Sequence, residues 1–147
     1  MLHLVDMKLL SILLLSSTLL LFGCSKIKQN AKKLDGTWTV YSYAEKVSGG
    51  FTTYYEADGN ITFNTQADGR FDYSENLSVE KTSGLLHLER TGNGFLFDKK
   101  GTSFELNILS PTNEVFPECE ISVITKDDLK IKIREPGVER TIVLQKN

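Results

Sequence analysis

The sequence feature that most limits the fold is an alternation of apolar and polar residues over positions 70–80, broken at one position. Phe71, Tyr73, Leu77 and Val79 share one parity, and polar residues fill the other. Because successive side chains of a strand point to opposite faces, this segment is predicted to be a strand with one buried and one solvated face. Glu75 is the exception on the buried parity. We interpret it as a bulge or loop, the alternative being a polar group that points into a cavity.

Similar short strand patterns recur from residue 34 to the end of the chain, and no convincing helical period interrupts them. Turn signals separate these segments at Asp58-Gly59, Asp68-Gly69, Gly92-Asn93-Gly94 and Pro136-Gly137. About eight to ten strands joined by tight turns predict an antiparallel meander. A long meander leaves two open edges unless it closes. The predicted fold is therefore all-β, an antiparallel up-and-down β-barrel of about eight strands, favoured over a sandwich.

Composition excludes several classes of function. The chain has 147 residues and a formal charge of −2, which suits one domain and argues against a nucleic-acid partner, because phosphates require a concentrated basic face. Two cysteines and two histidines are too few for a disulfide framework or a multi-histidine metal site. The sequence has no G-x-S-x-G, H-E-x-x-H or glycine-rich phosphate loop. We therefore expect neither an enzyme nor a protein with a metal or cofactor.

The N-terminus has the features of an export signal. Lys8 precedes an apolar run from Leu9 to Phe22, which is shorter than the roughly 20 residues of a membrane-spanning helix. The run leads into Leu21-Phe22-Gly23-Cys24, which resembles the lipobox of bacterial lipoproteins. The resemblance implies that residues 1–23 are a cleaved signal peptide and that Cys24 carries palmitate-type acyl chains, which would anchor the protein in a membrane. The alternative is an ordinary signal peptide that ends near a cysteine.

Residues 24–33 are predicted to be a short lipidated tether, followed by the barrel domain at residues 34–147. The tether is polar and carries four lysines, which either rest on anionic headgroups or are simply solvated. By resemblance to lipoprotein sorting rules, Ser25 after the cysteine implies the outer membrane. The basic character of the tether favours the periplasmic face over the cell surface.

The first predicted strand opens with Leu34-Asp35-Gly36-Thr37-Trp38. This segment resembles the G-x-W signature at the start of lipocalin and calycin barrels, and more closely the opening of small bacterial lipocalin-like lipoproteins. The resemblance implies that Gly36 and Trp38 close one end of the barrel, with the tryptophan packed beneath an arginine from a late strand. Arg140 has the inward parity of its strand, so it is our candidate for that stacking contact.

The predicted inward positions are rich in aromatic residues. A barrel of eight strands is either packed by side chains or just wide enough for one small ligand. A cavity here would suit a small hydrophobic or amphipathic molecule, and its candidate lining is Phe63, Phe71, Tyr73, Phe95, Phe97 and Phe104. The alternative is a solid-core interaction or structural lipoprotein of an envelope complex, without small-molecule cargo. Such a protein would use its outer surface, where we predict Tyr41, Tyr43 and Tyr54.

Overall fold

The structure, a computed structural model, describes residues 26–98, 100–109 and 114–147. The expected signal peptide and Cys24 lie outside these residues. The described chain forms one helix, α1 (residues 26–34), and nine strands. The strands are β1 (Gly36–Val47), β2 (Thr52–Thr65), β3 (Arg70–Lys81), β4 (Gly84–Phe97), β5 (Ser103–Leu109), β6 (Glu114–Val115), β7 (Glu118–Ile124), β8 (Asp128–Glu135) and β9 (Val138–Lys146).

The strands close into a barrel. Consecutive strands pair antiparallel from β1 to β5 and from β7 to β9, and β9 pairs with β1. Strand β5 closes the ring, because it pairs with β4 on one side and with β7 on the other. The two-residue β6 is an addition to β5. Over the described residues, the fold is a closed antiparallel barrel of eight strands, and the predicted fold class is confirmed.

Two glycine-containing segments that the sequence predicts as turns lie inside long strands. Gly59 belongs to β2, and Gly94 belongs to β4. Gly59 has a φ of 124°, which glycine adopts readily, and β2 continues through it, paired with Leu77. A Cβ at Gly94 would overlap the carbonyl oxygen of Glu105 and the ring of Phe71. Both positions are therefore close approaches within barrel strands rather than hairpin turns.

A bulge in β1 changes which of its residues point inward. The pairing of β1 with β9 shifts between Val40 and Ser42. Because an extra residue reverses the alternation of faces, Tyr43 is buried in the interior together with Trp38, although the two differ in parity. The prediction that Tyr43 lies on the outer surface is therefore wrong. The predicted outer tyrosines that are exposed are Tyr41 and Tyr54.

Helix α1 covers one end of the barrel, which we call the helix end. Asn30 Nδ2 donates to the carbonyl oxygen of Lys100 at 2.6 Å, and Thr65 Oγ1 donates to that of Ala31 at 2.8 Å. Residues 26–33 were expected to be a linker and are helical instead. The reason is an apolar face formed by Ile27, Ala31 and Leu34, whose spacing of four and three residues suits a helix packed on a core.

The opposite end, which we call the mouth, carries the turns that follow β1, β3 and β8. These turns span residues 48–51, 82–83 and 136–137. Among the described segments, no helix combines the length and the apolar content needed to cross a membrane. The interior between the helix end and the mouth is the place where the predicted site residues can meet.

Candidate binding site inside the barrel

At the helix end, Trp38 is buried and held by two contacts. Its Nε1 donates to the carbonyl oxygen of Leu34 at 2.8 Å, and Nζ of Lys146 lies 4.8 Å from the centre of its ring. The cation over the tryptophan is therefore Lys146, which corrects the expected stacking by Arg140. The strand register explains the difference. Trp38 pairs with Lys146 on β9, whereas Arg140 pairs with Glu45, roughly 20 Å further along β1.

Four of the predicted cavity residues form one aromatic cluster: Phe63, Phe71, Tyr73 and Phe104. The ring of Phe63 meets those of Phe71 and Tyr73 edge-on, with 5.5 Å between centroids in each case. The rings of Phe71 and Phe104 are 5.8 Å apart. None of the four residues is more than 2% exposed, whereas an empty space of ligand size would leave its lining accessible. The rings therefore fill the barrel at this level.

Phe95 and Phe97 were predicted to line the cavity, and that prediction is wrong. They are 39% and 38% exposed, whereas Leu96 between them is fully buried. The inward position next to Leu96 is Gly94, and its missing side chain leaves space for the ring of Phe71 from the neighbouring strand. In this last part of β4, the inward parity is thus the opposite of the predicted one. Phe95 instead lines a groove of about 800 Å³ beside β4 and β5.

Beyond the aromatic cluster, four charged side chains cross the barrel: Glu75, Arg90, Glu135 and Arg140. We call them the charged brace. Arg140 Nη1 donates to Glu75, and its Nη2 lies 3.4 Å from Oε1 of Glu135. Arg90 also donates to Glu135. In the closed ring, β3 stands opposite β8 and β4 stands opposite β9. Because the four residues come from these strands, the brace joins facing walls.

Glu75 points into the interior and does not mark a bulge. The pairing of β3 with both neighbours runs without a register shift, and Glu75 is 1% exposed. Tyr73 Oη donates to Oε2 of Glu75 at 2.7 Å, beside the guanidinium of Arg140. A buried carboxylate requires such partners, because its desolvation is otherwise uncompensated. The interpretation of Glu75 as a bulge is therefore wrong; the side chain points inward, where it contacts Tyr73 and Arg140.

A second ion pair lies nearer the mouth. Tyr43 Oη donates to Oε1 of Glu45 at 2.7 Å. Lys81 Nζ donates to both carboxylate oxygens of Glu45, at 2.7 and 2.8 Å, and lies 5.4 Å from the centre of the Tyr55 ring. Strand register places partly buried apolar side chains at this same end, namely Tyr55, Ala57 and Leu86. The mouth therefore offers charged and apolar surfaces side by side.

Burial and charge together set the protonation of the site. Burial alone lowers the pKa of Arg140, but the charge of Glu75 contributes to a net rise, so the guanidinium stays charged. Burial raises the pKa of Tyr73 well above its usual value of 10.0, and the charge of Glu75 adds to the effect. Tyr73 is therefore a neutral hydrogen-bond donor. Burial also raises the pKa of Cys119 to about 12, which keeps it a thiol at neutral pH.

One donor in this network is not used. The Nε of Arg140 is buried and has no hydrogen-bond partner among the described residues. A buried donor without an acceptor costs free energy, of the order of 1–3 kcal/mol. The arrangement can therefore accept one further hydrogen-bond acceptor beside a fixed cation. In the described part of the chain, no group of three His, Cys, Asp or Glu side chains could hold a metal ion.

The structure separates the three residues predicted to close the barrel into two places. Gly36, with a φ of 111°, and Trp38 lie at the helix end, whereas Arg140 lies with the charged brace. Sequence reasoning missed the other members of the two ion-pair clusters, which are Glu45, Lys81, Arg90 and Glu135. The alternation of faces could have placed one of them inside. Arg90 has the same parity as the inward leucines of β4, just as Glu75 has the same parity as the inward residues of β3.

Comparison with known proteins identifies the fold and no family. No protein-family model matches the chain, and no curated protein matches it. A de novo designed fluorescence-activating β-barrel is similar, with a TM-score of 0.52 and 14% identity over 80% of this chain and 96% of that one. The redesigned barrel mFAP0, bound to DFHBI, has a TM-score of 0.53 and 16% identity over 78% of this chain and 99% of its own. The barrel EF1p2_mFAP2b, also bound to DFHBI, has a TM-score of 0.54 and 14% identity over 82% and 99%.

At these identities the likeness establishes the barrel fold alone. The bound DFHBI is a property of those two barrels, and what this barrel can bind depends on its own interior side chains.

Proposed function

We propose that this chain is a lipid-anchored lipoprotein of the outer membrane, facing the periplasm, whose lipocalin-like barrel binds a small amphipathic ligand at the mouth. Export and anchoring are supported by the apolar run and by the lipobox-like segment that ends at Cys24. The likeness to lipocalins is supported by Gly36 and Trp38 at the covered end of a closed barrel.

The observation that carries the binding proposal is the charged interior close to the mouth. Apolar residues of similar volume would avoid the desolvation cost of the Glu75–Arg140 pair and are often as stabilising. Perturbed and buried charges concentrate at functional sites. The free Nε of Arg140 adds a donor that a ligand can use.

The chemistry of the ligand follows from the surfaces around this donor. A carbonyl, hydroxyl or ether oxygen would accept a hydrogen bond from Arg140, and an apolar portion would contact Tyr55 and Leu86. The ligand is small, because the aromatic cluster fills the deeper interior. Glu45 pairs in register with Arg140 and is bound to Lys81, whose side chain is 23% exposed. We expect ligand entry to separate this Glu45–Lys81 pair.

Native mass spectrometry of the mature protein tests both parts of the proposal. The protein would be purified gently, in detergent, from the envelope of its own host. An intact mass above that of the Cys24–Asn147 polypeptide by the expected acyl groups supports the anchor. A co-purifying small molecule supports binding, and an Arg140→Lys variant should lose it while keeping the charge. The matched control is Arg134→Lys, since Arg134 is half-exposed on the barrel wall.

Two results would count against these ideas separately. A mature protein without acyl mass rejects the anchor but leaves the barrel untouched. A folded barrel that remains empty after exposure to an extract of envelope lipids rejects the binding proposal.

The second candidate function is a solid-core interaction or structural lipoprotein of an envelope complex. The observation that favours it is the filled interior, where the aromatic cluster and the charged brace leave little room. The partner would then contact the outer wall, where Phe95 and Phe116 flank the groove beside β4 and β5. A photo-crosslinking amino acid would replace Phe116 in the protein made in cells. This alternative is supported if it captures one envelope protein and if the barrel purified from the same cells carries no small molecule.

A further inference from the structure

The exposed surface of helix α1 is basic. Lys26, Lys28, Lys32 and Lys33 are all exposed, and the helix contains no acidic residue. The whole chain has a formal charge of −2, so everything outside these nine residues carries a formal charge of −6. Positive charge is thus concentrated at the helix end, on a molecule that is acidic elsewhere. Such a distribution attracts an anionic surface to one end and repels it from the rest.

The helix is fixed to the barrel, so its lysines cannot be regarded as part of a loose linker. Its last residue, Leu34, is fully buried, and Asn30 donates a hydrogen bond to the carbonyl oxygen of Lys100. The turn before β8 extends the basic surface. Lys126 lines one groove of about 730 Å³ together with Lys32 and Lys33. Asp127 also lies on this groove, and Asp35 follows the helix directly.

The position of Cys24 determines what this surface can meet. Helix α1 already includes residue 26, and two residues of chain span at most about 7 Å. If Cys24 carries acyl chains, as in the proposed function on which this inference rests, the helix lies within reach of the lipid headgroups. Lysines this close to anionic lipids contribute attraction that falls off within a Debye length of about 8–10 Å.

We propose that the helix end docks on anionic phospholipid headgroups through Lys28, Lys32, Lys33 and Lys126. Docking fixes the orientation of the barrel, because α1 is packed rigidly across one end. The mouth then points away from the membrane, toward the aqueous compartment.

The test uses the acylated mature protein in phosphatidylcholine vesicles, with and without roughly one third phosphatidylglycerol. A water-soluble acetylating reagent modifies exposed lysines, and mass spectrometry reads each site. We expect phosphatidylglycerol to slow acetylation of Lys32, Lys33 and Lys126 several-fold, and about 0.5 M NaCl to reverse the protection. Lys46 and Lys130, on the mouth side and the barrel wall, serve as internal controls and should react equally in both vesicles.

A double variant, Lys32→Glu/Lys33→Glu, should abolish the protection of Lys126. Each lysine near an anionic membrane raises the binding constant about fivefold, and each glutamate opposes binding. The matched variant Lys130→Glu/Lys132→Glu should preserve it. Equal acetylation of Lys126 in both vesicles, in a protein whose mass shows acylation, overturns the docking proposal alone. A protein without acyl mass instead rejects the anchor. Ligand binding is measured separately, so the three outcomes remain distinct.

Discussion

At the scale of single residues, the most consequential feature is the buried pair of Glu75 and Arg140. Parity placed Arg140 inside the barrel correctly, but its partner could not be found from sequence. The two residues are 65 positions apart, and only closure of the barrel brings them together. The same limit applies to Lys146 over Trp38, because that contact depends on the register of β9 against β1. Local pattern fixes the face of a strand, whereas contacts across the barrel depend on the whole ring.

Removal of Arg140 alone should be costly. Arg140→Met leaves the Glu75 carboxylate buried without its cation, and we expect a loss of about 3–5 kcal/mol in the free energy of unfolding. The double variant Glu75→Leu/Arg140→Met should recover most of this loss, because the uncompensated charge is gone. Guanidinium chloride denaturation measures both. Arg134→Met removes a half-exposed arginine and should cost no more than about 1 kcal/mol. If the losses in the free energy of unfolding caused by Glu75→Leu and by Arg140→Met simply add in the double variant, the two side chains do not stabilise each other as described.

Stability should fall as the pH rises above 10. The pKa of Tyr73 is raised by burial and by the charge of Glu75, so in the folded protein it stays protonated where an unfolded tyrosine ionises. Its contribution is therefore complete below the unfolded pKa of 10.0 and is lost at higher pH, by about 1.4 kcal/mol per pH unit. Denaturation midpoints over this range measure the slope. Tyr73→Phe should reduce the slope by this amount and leave the part due to Tyr43 and Cys119, whose pKa values burial also raises; the surface variant Tyr54→Phe is the control.

At the scale of elements, the alternation of apolar and polar residues predicted β3 well, because one face of that strand is solvated. It failed in β4, where glycines occupy inward positions and give no hydrophobic signal. Phe95 and Phe97 then appeared to define the buried parity, although Leu96 does. Helix α1 was missed for a related reason, since only three apolar residues mark its inner face within a basic segment. The inward glycines of β4 and the lysines of α1 add nothing to a hydrophobic period, so the buried face of each element cannot be recognised from the apolar residues alone.

Helix α1 should contribute to stability through Leu34. Leu34→Ala removes a fully buried side chain at the helix end, and we expect a loss of about 2–5 kcal/mol. Leu85→Ala is the matched control, because Leu85 is more than half exposed on β4 and should cost less than about 0.5 kcal/mol. Thermal and denaturant unfolding would measure both variants. Equal effects would mean that α1 is not packed as described.

The close contacts at Gly94 allow a test of how β4 packs against its neighbours. Gly94→Ala places a methyl group against the carbonyl oxygen of Glu105 and the ring of Phe71, so we expect a loss of about 1–3 kcal/mol. Gly50→Ala, in the turn after β1, is the comparison and should cost less, because its Cβ would lie 3.3 Å from the nearest atom, whereas that of Gly94→Ala would overlap the carbonyl oxygen of Glu105. A neutral Gly94→Ala variant, measured by denaturation, would contradict the close contact between β4 and the aromatic cluster.

At the scale of the whole molecule, the barrel has two chemically different ends. One end is covered by a basic helix next to the expected lipid anchor, and the other carries the charged and apolar surfaces of the mouth. If the protein faces the periplasm, a membrane-impermeant biotinylation reagent should fail to label it in intact cells. It should label the protein after the outer membrane is permeabilised. Labelling in intact cells would place the barrel on the cell surface and reject the periplasmic assignment.

The charged brace also has a consequence for how the barrel closes. A slip of one residue in β9 would turn Arg140 to the outside and leave Glu75 buried alone, and a slip of two would bring Val138 or Ile142 toward it. Aliphatic side chains alone would distinguish these alignments poorly, because neighbouring inward positions of β9 are so alike. The buried ion pair between Glu75 and Arg140 forms in only one of these registers. Residues that are far apart in the sequence therefore favour the one register in which the last strand joins the first correctly.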